Sequence, residues 1–447
     1  MSGVAMSVSN KPTVIDLFCG AGGFSKGFEN AGFNILAGID NNANLTETYS
    51  KNIEAEFICR DITHKVDFYT KPDVIIAGPP CQGFSDARGN RVPKTREDIH
   101  RNNLFLIYLK WLKELKPKVT IFENVYGFST HENNYMKKLF LGLESLGYKI
   151  DYDFLSSDMF GVPQKRRRFF CLGVLDYKEE LDFFDILKKK NKNNTPFCIK
   201  DCLCGLPSEL DGNNNKTLRY KNPDSEYITL INQKKTINEC YNHIAKKPRK
   251  KYQKIVQLIP NGMGFRSDRF GPTSFTIWEL ALKYKLIYNK ELLSDQEIYV
   301  LYEIAKKRLD RSIKTRKGRY QEGYVPLEHI SNVDIVKTLI AKGYLKYNSN
   351  ENAVDLTVKA GHRRHFRRLS LNSLSPTILT QSFYPRELIH PIENRGLSLR
   401  EGARIQSFPD DFIFYGSFTH VAKQIGNAVP PLLAKKIGEK IIEEFVS

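Results

Sequence analysis

Short apolar runs alternate with amphipathic stretches through the first 175 residues, and this alternation constrains the fold more than any other feature of the sequence. Buried strands are predicted for Thr13–Phe18, Asn34–Ile39, Val74–Ala77, Val119–Phe122 and Phe169–Val174. Helical spacing between them covers Lys26–Ala31, Asn103–Leu115 and Tyr135–Leu146. The alternation predicts an α/β fold in which crossover helices connect the strands of a parallel sheet.

The net charge of +18 is concentrated in one internal segment. Leu181–Ser370 holds 37 basic and 20 acidic residues, which leaves the rest of the chain close to neutral. A near-neutral body with one basic insert is typical of proteins that bind a polyanion, above all nucleic acid. Because 447 residues suit one large and one smaller domain, we predict a discontinuous domain built from both chain ends and interrupted by a basic insert.

Other classes of protein are disfavoured by composition. No stretch approaches the roughly 18 consecutive apolar residues of a membrane span, and Met1–Asn10 lacks the layout of a secretory signal. The eight cysteines are scattered, which favours a reducing cytoplasm. The one tight group, Cys198, Cys202 and Cys204, has no nearby fourth ligand, so we expect no metal site.

The segment Asp16–Phe24 (DLFCGAGGF) follows the first predicted strand and opens a helix. Glycines in such a turn let a ligand approach the backbone, and a carboxylate ending the next strand, here Asp40, suits ribose hydroxyls. Asp61 is expected to end a third strand in the same way. Ser25 stands where a dinucleotide-binding turn would have its third glycine, so a smaller ligand such as S-adenosylmethionine is favoured over a dinucleotide. A purely structural turn is the alternative.

The segment Gly78–Ser85 (GPPCQGFS) follows another predicted strand. Its two prolines fix the backbone and place Cys81 on a rigid loop beyond the carboxyl edge of the sheet, where open α/β folds have their sites. A buried thiol is the ordinary role of a single cysteine. In a proline-rich loop at a strand end, a nucleophile is the favoured interpretation of Cys81.

Three further segments carry polar side chains at expected strand or helix ends. Glu123 and Asn124 follow the Val119–Phe122 strand, where Glu123 is either a solvated cap or a general acid. In Gln164–Phe169 (QKRRRF), the side chains of an extended backbone alternate, so Gln164, Arg166 and Arg168 would lie on one face. They would contact a substrate or bind phosphate there. In Gln424–Pro431 (QIGNAVPP), Asn427 is expected to cap the final helix or to contact a ligand.

In this order, these segments resemble the motif series of the C5-cytosine DNA methyltransferases. The blocks that carry the resemblance are DLFCGAGGF, GID, DIT, GPPCQGFS, FENV, QKRRR, LSPTI with REGARIQSFPDDF, and QIGNAVPP. The resemblance implies a Rossmann-like S-adenosylmethionine-dependent methyltransferase domain with an inserted, smaller target-recognition domain. The corresponding boundaries are 1–180 and 412–447 for the catalytic domain and 181–411 for the insert, which includes the LSPTI and FPDDF blocks.

The resemblance also implies roles for single residues in a DNA (cytosine-5-)-methyltransferase. Cys81 would add to carbon 6 of the cytosine, because carbon 5 is not nucleophilic enough to take a methyl group unaided. Glu123 would contact the ring N3 and the exocyclic amine, and Arg168 the O2 side of the base. Arg166 would support the loop or a phosphate. A cofactor site for S-adenosylmethionine is implied at Phe18, Gly20, Gly22, Gly23, Asp40, Asp61, Ile62, Leu104, Asn427 and Val429.

The resemblance implies double-stranded DNA as the partner, from which the target base must be extruded. Gln82, Ser85 and the loop Ser85–Thr95 would close behind that base, and the Arg266–Arg269 and Arg311–Arg319 clusters are candidates for base or phosphate contact. The compact layout predicts a cytoplasmic monomer, associated with the nucleoid through DNA and paired with a restriction endonuclease of the same specificity. A tRNA cytosine-5 methyltransferase and a catalytically inactive DNA-binding protein are the alternatives.

Overall fold

The computed structural model describes residues 11–64, 70–80, 103–130, 134–192, 196–210, 218–221, 225–250, 294–310, 324–356 and 365–446, with a few residues between 253 and 265. The chain divides into two compact units. The first comprises Met1–Ile244, Asn372–Ser382 and Ser398–Ser447, and the second comprises Ala245–Leu371 and Phe383–Leu397. Residues 181–244, 372–382 and 398–411, which the sequence analysis assigned to the insert, therefore lie in the first unit. The role of the second unit in target recognition stays a prediction.

The first unit is organised around a sheet of seven strands. The first eight strands of the chain are β1 (Thr13–Leu17), β2 (Asn34–Asp40), β3 (Glu56–Cys59), β4 (Val74–Ala77), β5 (Val119–Val125), β6 (Tyr148–Ser156), β7 (Gln164–Lys165) and β8 (Arg167–Leu175). All but β7 belong to the sheet, in the order β3-β2-β1-β4-β5-β8-β6. The order changes direction at β1 and β4, and in open α/β sheets a ligand crevice forms at such a switch point, beyond the carboxyl ends of the strands.

The predicted parallel pairing is confirmed for β1 to β5, but it is wrong for β8, which runs antiparallel to both β5 and β6. The physical reason is the short connection between β6 and β8, since a parallel return needs a crossover of about a dozen residues or more. The edge strand β6 was not predicted, because its half-exposed sequence YKIDYDFLS has no continuous apolar run.

The remaining elements of the first unit are mostly helices. They are α1 (Gly23–Ala31), α2 (Thr46–Asn52), α3 (Leu104–Leu115), α4 (Gly127–Thr130), α5 (Tyr135–Ser145), α6 (Phe183–Asn191), α7 (Ile199–Leu203), α8 (Glu226–Ile231), α11 (Leu399–Ile405), α12 (Phe418–Asn427) and α13 (Pro431–Ile441), with short 3₁₀ turns at Ala43–Leu45 and Ser157–Phe160 and a final π-helical turn at Ile442–Val446. Short strands complete this unit: β9 (Leu218–Arg219), β10 (Glu239–Cys240) and β16 (Ser375–Pro376).

Among the described residues of the second unit, the helices with defined bounds are α9 (Asp295–Asp310) and α10 (Val333–Ala341). Its strands are β11 (Gly264–Phe265), β12 (Val325–Pro326), β13 (Leu345–Asn348), β14 (Ala353–Leu356), β15 (His365–Arg368) and β17 (Leu388–Ile389). They form two three-stranded sheets, β11-β15-β17 and β12-β14-β13. No helix within the described ranges is long and apolar enough to span a membrane.

Helix α1, which opens the candidate site, is held by close packing against α13. A Cβ atom placed on Gly27 would lie 2.3 Å from the Cβ of Ala434 and 2.5 Å from the carbonyl oxygen of Pro431. Only a glycine allows the two helices to approach this closely. The C-terminal helix is therefore an integral part of the unit that contains the N-terminal strand.

Candidate active site

The turn between β1 and α1 contains two glycines in the left-handed region, Gly20 at φ +56° and Gly22 at φ +90°. A Cβ on Gly22 would lie 3.0 Å from the side chain of Ile53 and 3.1 Å from the ring of Tyr49, whereas a Cβ on Gly20 would meet nothing within 4 Å. Gly22 is therefore required by packing, and Gly20 faces open space. The turn thus presents bare backbone to that space, as a ligand-binding turn does.

Asp40, at the end of β2, is tied to this turn by hydrogen bonds. Its carboxylate accepts from the backbone N–H of Gly20 at 3.1 Å and from that of Asn42 at 3.0 Å. Burial raises the pKa of Asp40 above its ordinary value, although these N–H donors act in the opposite direction. A half-buried carboxylate fixed in this way is positioned to accept hydrogen bonds from the hydroxyls of a ribose.

Three of the residues predicted for the cofactor site belong to one large apolar cluster of the first unit or pack against it. Ile62 and Leu104 are buried members of the cluster, and Phe18 packs against it. The Trp111 indole donates a hydrogen bond of 2.9 Å to the carbonyl oxygen of Ile62, which fixes that segment. Phe18 adopts φ +61°, a conformation that costs a non-glycine residue roughly 1–2 kcal/mol. These side chains could form an apolar wall for an adenine ring.

The other predicted cofactor residues have separate surroundings. Asp61 lies two residues beyond the end of β3 and accepts hydrogen bonds from the N–H and hydroxyl of Thr63, at 2.9 and 2.7 Å. Val429 lies close to the start of α1, since a Cβ on Gly23 would be 2.5 Å from its carbonyl oxygen. Asn427 is exposed and ends α12, so the expectation that it caps the final helix is wrong: Pro430 holds that position.

Glu123 and Arg168 form an ion pair at the carboxyl end of β5. Strand β5 extends to Val125, so Glu123 lies within the strand and not after it as predicted. Its Oε1 is 3.3 Å from the Nε of Arg168, and the two side chains are only 12% and 14% exposed. Burial raises the pKa of Glu123, and the charges of Arg168 and Arg166 oppose this rise. A glutamic acid whose pKa is raised keeps part of its protonated form available as a proton donor.

The Glu123 carboxylate also lies beside the loop that carries Cys81. A Cβ on Gly78 would be 3.6 Å from the Oε2 of Glu123, and the Asn124 amide donates to the carbonyl oxygen of Pro79 at 3.5 Å. Pro79 is buried and Pro80 is exposed. Cys81 itself lies outside the described residues, as do Gln82, Ser85 and the loop Ser85–Thr95. The structure thus brings Glu123 to the start of the loop predicted to hold the nucleophile.

Gln164 and Arg166 do not share the surroundings of Arg168, contrary to the prediction of one common face. The strand is interrupted at Arg166, between β7 and β8. Gln164 accepts from the N–H of Ile378 and donates to the Gln406 side chain, each at 2.7 Å. Arg166 donates to the carbonyl oxygens of Ile378 and Gly426, at 3.3 and 3.2 Å. Both side chains are buried and join the QKRRR block to the later blocks of the chain.

Sequence reasoning missed a buried network beneath the glycine turn. The Ser25 hydroxyl donates to the Asp16 carboxylate at 2.5 Å and also lies 2.8 Å from the hydroxyl of Tyr49. Burial raises the pKa of Asp16 to about 7, although the Ser25 hydrogen bonds lower it. The signal in the sequence was Ser25 itself, which stands where the dinucleotide pattern would have a glycine.

A second missed feature is the internal structure of the FPDDF block. Arg404 makes a two-pronged ion pair with Asp410, at 2.7 and 2.8 Å, and both residues are almost fully buried. Arg404 also donates to the carbonyl oxygens of Cys202 and Cys204, and Asp410 accepts from the Asn232 amide at 2.9 Å. These contacts connect the FPDDF block to Cys202, Cys204 and Asn232 within the first unit. The three cysteines near position 200 are free thiols.

The residues around the glycine turn fit S-adenosylmethionine. Open space in front of Gly20, a fixed carboxylate at Asp40 and an apolar cluster at Ile62 and Leu104 offer surfaces for the polar, ribose and adenine parts of the molecule. Among the described residues, no group of three or more His, Cys, Asp or Glu side chains is arranged to hold a metal ion. The Arg266–Arg269 and Arg311–Arg319 clusters lie outside the described part of the chain.

The chain is similar to known methyltransferases over nearly its whole length. Type II methyltransferase M.AgeI of Thalassovita gelatinovora is 29% identical over 96% of this chain and 98% of the relative, and M1.HphI of Haemophilus parahaemolyticus is 28% identical over 96% and 87%. A crystal structure of a prophage-encoded E. coli protein, described as a DNA modification methyltransferase, has a TM-score of 0.56 and 23% identity, and covers 97% of this chain and 99% of that one. The likeness to this structure shows the fold, which is that of S-adenosylmethionine-dependent methyltransferases.

The family model for C-5 cytosine-specific DNA methylases matches residues 12–443, which is nearly the whole chain. The match spans the glycine turn, the Glu123–Arg168 pair and the FPDDF block described above. The relatives named as type II methyltransferases match 96% of the chain. This chain therefore belongs to the family of C-5 cytosine-specific DNA methylases and is a DNA (cytosine-5-)-methyltransferase.

Proposed function

We propose that this enzyme methylates one cytosine within a specific sequence of duplex DNA, with Cys81 as its covalent nucleophile and S-adenosylmethionine as its cofactor. The observation that carries the proposal is the buried Glu123–Arg168 pair beside Gly78, three residues before Cys81. In the proposed site, Glu123 would act as the proton donor and Arg168 as the cation beside the Cys81 thiolate. Cytosine needs all three groups to become a nucleophile at carbon 5.

The cofactor is proposed to bind at the carboxyl ends of β1 to β4. Asp40 and Asp61 would accept hydrogen bonds from it, and the backbone at Gly20, Gly22 and Gly23 would meet its charged amino-acid end. Phe18, Ile62 and Leu104 would enclose the adenine, and Asn427 and Val429 would complete the site. When bound, S-adenosylmethionine supplies the methyl group that is added to carbon 5.

The proposed chemistry begins with addition of the Cys81 thiolate to carbon 6 of the extruded cytosine. The new sulfur–carbon bond pushes the electrons of the ring double bond toward carbon 5, and protonated Glu123 gives its proton to N3 as negative charge develops there. Arg168 would hold the O2 side of the ring and keep Glu123 in place. After methylation, N3 returns its proton to Glu123. Solvent water accepts the carbon 5 proton, and the electrons of that C–H bond restore the ring double bond and expel the Cys81 thiolate.

Arg166 has a supporting role in this proposal. Its guanidinium is buried against the carbonyl oxygens of Ile378 and Gly426, so it would hold the strand entry that presents Arg168. Its charge also opposes the rise in the pKa of Glu123. Arg166 is therefore a positioning residue in the proposed mechanism, and Arg168 is the arginine that contacts the base.

The biological setting is proposed from the relatives. M.AgeI and M1.HphI are named as type II methyltransferases, so we infer that this enzyme marks the recognition sequence of a restriction endonuclease with the same specificity. A single chain contains all the proposed catalytic groups, and we propose that it acts as a monomer on double-stranded DNA in the cytoplasm, next to the nucleoid.

Trapping of the covalent intermediate tests the chemistry. Duplex DNA containing 5-fluorocytosine should form a stable adduct with the native enzyme in the presence of S-adenosylmethionine, since fluorine at carbon 5 blocks release. Cys81→Ala should form none. Cys59→Ala, which removes an exposed thiol at the end of β3, is the matched control and should form the adduct normally.

Two outcomes would contradict the proposal. Transfer of labelled methyl groups to tRNA in preference to duplex DNA would support the tRNA alternative. Specific DNA binding without adduct or methyl transfer would support the inactive DNA-binding alternative.

A further inference from the structure

The second unit contains a small hydrophobic core of its own. Ten buried residues form it, with members on α9, α10 and the strands β12 to β14, and they are Val300, Leu301, Ile304, Val325, Ile330, Val336, Leu339, Tyr344, Leu345 and Val354. All of them are at most 6% exposed. Residues 294–310 and 324–356 thus form a separate packing module within the insert, which we call the insert module.

The topology of the insert module is specific. It runs from α9 to the short strand β12, then through a 3₁₀ turn at Leu327–His329 into α10, and ends in the hairpin of β13 and β14. Strand β14 pairs antiparallel with β12 on one side and with β13 on the other. This order of helix, strand, helical turn, helix and two-stranded hairpin, with the last strand in the middle of the sheet, is that of a winged-helix fold. In helix-turn-helix modules of this kind, the helix at the position of α10 enters the major groove of DNA.

Helix α10 is fixed at both ends by acidic residues of α9. Glu303 accepts hydrogen bonds from the hydroxyl and the N–H of Ser331, at 2.5 and 3.2 Å, just before α10 begins. Glu297, which is buried, accepts from the Lys342 ammonium at 2.7 Å, just after α10 ends. The Asn332 side chain caps the helix by accepting from the N–H of Ile335. The helix is therefore held rigidly, as an element that reads base edges must be.

The outward face of α10 carries exposed side chains at helical spacing. Val333, Asp334, Lys337, Thr338 and Ala341 share this face, while Val336 and Leu339 point into the core. The Asp334 and Lys337 side chains are 90% and 73% exposed, and their ion pair of 3.1 Å is of the weak, exposed kind. In the major groove, a lysine donates to guanine, a carboxylate accepts from the cytosine amine, and valine methyl groups contact thymine.

Basic residues are concentrated in the sequence next to the insert module and not in the module itself. The insert module has six basic and eight acidic residues, so it is not a general polyanion-binding surface. The sequence next to it is basic: residues 311–323 have five basic residues and one acidic residue, and residues 357–368 have five basic and none acidic. Phosphate contacts supply affinity without sequence information, whereas a near-neutral face with mixed donors and acceptors suits recognition of base edges.

We infer that the insert module is a winged-helix reader and that Asp334, Lys337 and Thr338 on α10 determine which DNA sequence this enzyme methylates. The inference rests on the proposed function only in taking duplex DNA as the substrate. It names the element of the insert that discriminates between bases, which neither the family nor the relatives specify.

Methylation sequencing of a library of duplexes with all sequence contexts tests the inference. Asp334→Asn and Lys337→Gln should each relax the preference at one base pair of the site by about tenfold or more, the loss expected when one good side-chain contact to a base is removed. Glu328→Gln, which alters an exposed carboxylate of the same module in the Leu327–His329 turn and not on α10, is the matched control and should leave the preference unchanged.

The outcomes distinguish the inference from the proposed function. If the native enzyme methylates a defined sequence and both α10 variants retain the native preference, the inference is overturned while the proposed function stands. If the native enzyme methylates no DNA cytosine, the proposed function fails. Where a variant has no measurable activity, competition binding between duplexes that differ at one base pair gives the same readout. Circular dichroism checks that the variants are folded.

Discussion

The Nε of Arg168 lies 3.3 Å from the Oε1 of Glu123, although the two residues are not directly opposite each other in the β5–β8 ladder. Arg168 is opposite Val125, and Glu123 is opposite Phe170, so the pair is diagonal on one face of the sheet. Burial raises the pKa of Glu123, and Arg168 lowers it. The arginine therefore limits the rise in the pKa of Glu123 that burial causes.

Removing this cation should change both the rate and its dependence on pH. Arg168→Ala should lower kcat about 100-fold or more, since a charge that stabilises the transition state is lost. The pKa of Glu123 should rise further, so the fall of the residual activity on the alkaline side should move to higher pH. Single-turnover methyl transfer measured across the pH range gives both quantities.

The neighbouring arginine provides the control for this prediction. Arg167 is exposed and stacks between the rings of Tyr126 and Phe154, at 5.3 and 5.1 Å. Its guanidinium is not paired with Glu123. Arg167→Ala should leave the shape of the pH profile as in the native enzyme, even if DNA affinity changes. An unaltered profile in Arg168→Ala would show that the ion pair does not control the proton on Glu123.

The buried pair of Arg404 and Asp410 should be essential for stability. Arg404→Ala leaves a buried carboxylate without its partner and should lower the free energy of unfolding by about 3–5 kcal/mol. Arg219→Ala, which replaces an exposed side chain in β9, should lower the free energy of unfolding far less. Urea denaturation of both variants measures the difference. Equal small losses would mean that the pair contributes little beyond a surface ion pair.

The parts of the site that sequence reasoning anticipated are those at the ends of predicted strands. The positions of β1, β2, β4 and β5 were confirmed to within a few residues, and these strands carry Gly20, Asp40 and Glu123 to one edge of the sheet. A strand can be predicted from a local apolar run because its signal is contained in a few consecutive residues.

The features of the site that sequence reasoning missed depend on contacts between residues far apart in the sequence. Gln164 binds Gln406, and Arg404 binds the carbonyl oxygens of Cys202 and Cys204, across about 200 residues or more. A periodic pattern gives the type of an element but not its partner in space, so these contacts leave no local signal. The antiparallel direction of β8 was missed because the edge strand β6, which is joined to β8 by a short connection, was itself not predicted.

Asp16 should make the stability of the protein depend on pH in an unusual direction. Burial raises its pKa from 3.8 to about 7, so between about pH 4 and 7 the folded state holds a proton that the unfolded chain has lost. The contribution of Asp16 to the free energy of unfolding therefore falls as pH rises through that range, and it is constant at higher pH. Asp16→Asn should remove this part of the slope, as measured by urea denaturation at pH 5 and pH 8.

A second substitution tests the cause of that pH dependence. The Ser25 hydroxyl donates to Asp16 and lowers its pKa. Ser25→Ala should therefore raise the pKa further and extend the fall in stability to higher pH. The assignment to Asp16 would be wrong if Asp16→Asn had the same slope as the native protein between pH 5 and 8.

Gly20 should be required for binding of the cofactor and not for packing of the protein interior. Its φ of +56° costs an alanine about 1 kcal/mol, but the added Cβ would touch none of the described residues within 4 Å. It would instead enter the space proposed for S-adenosylmethionine. Because the alanine side chain would prevent a close contact between the cofactor and the backbone, Gly20→Ala should weaken cofactor binding about tenfold or more. Calorimetry measures this affinity. Gly147→Ala, at φ +87° and remote in sequence from the turn, imposes a similar backbone cost and should bind the cofactor normally. Native affinity in Gly20→Ala, with the same loss of thermal stability in both variants, would place the cofactor elsewhere.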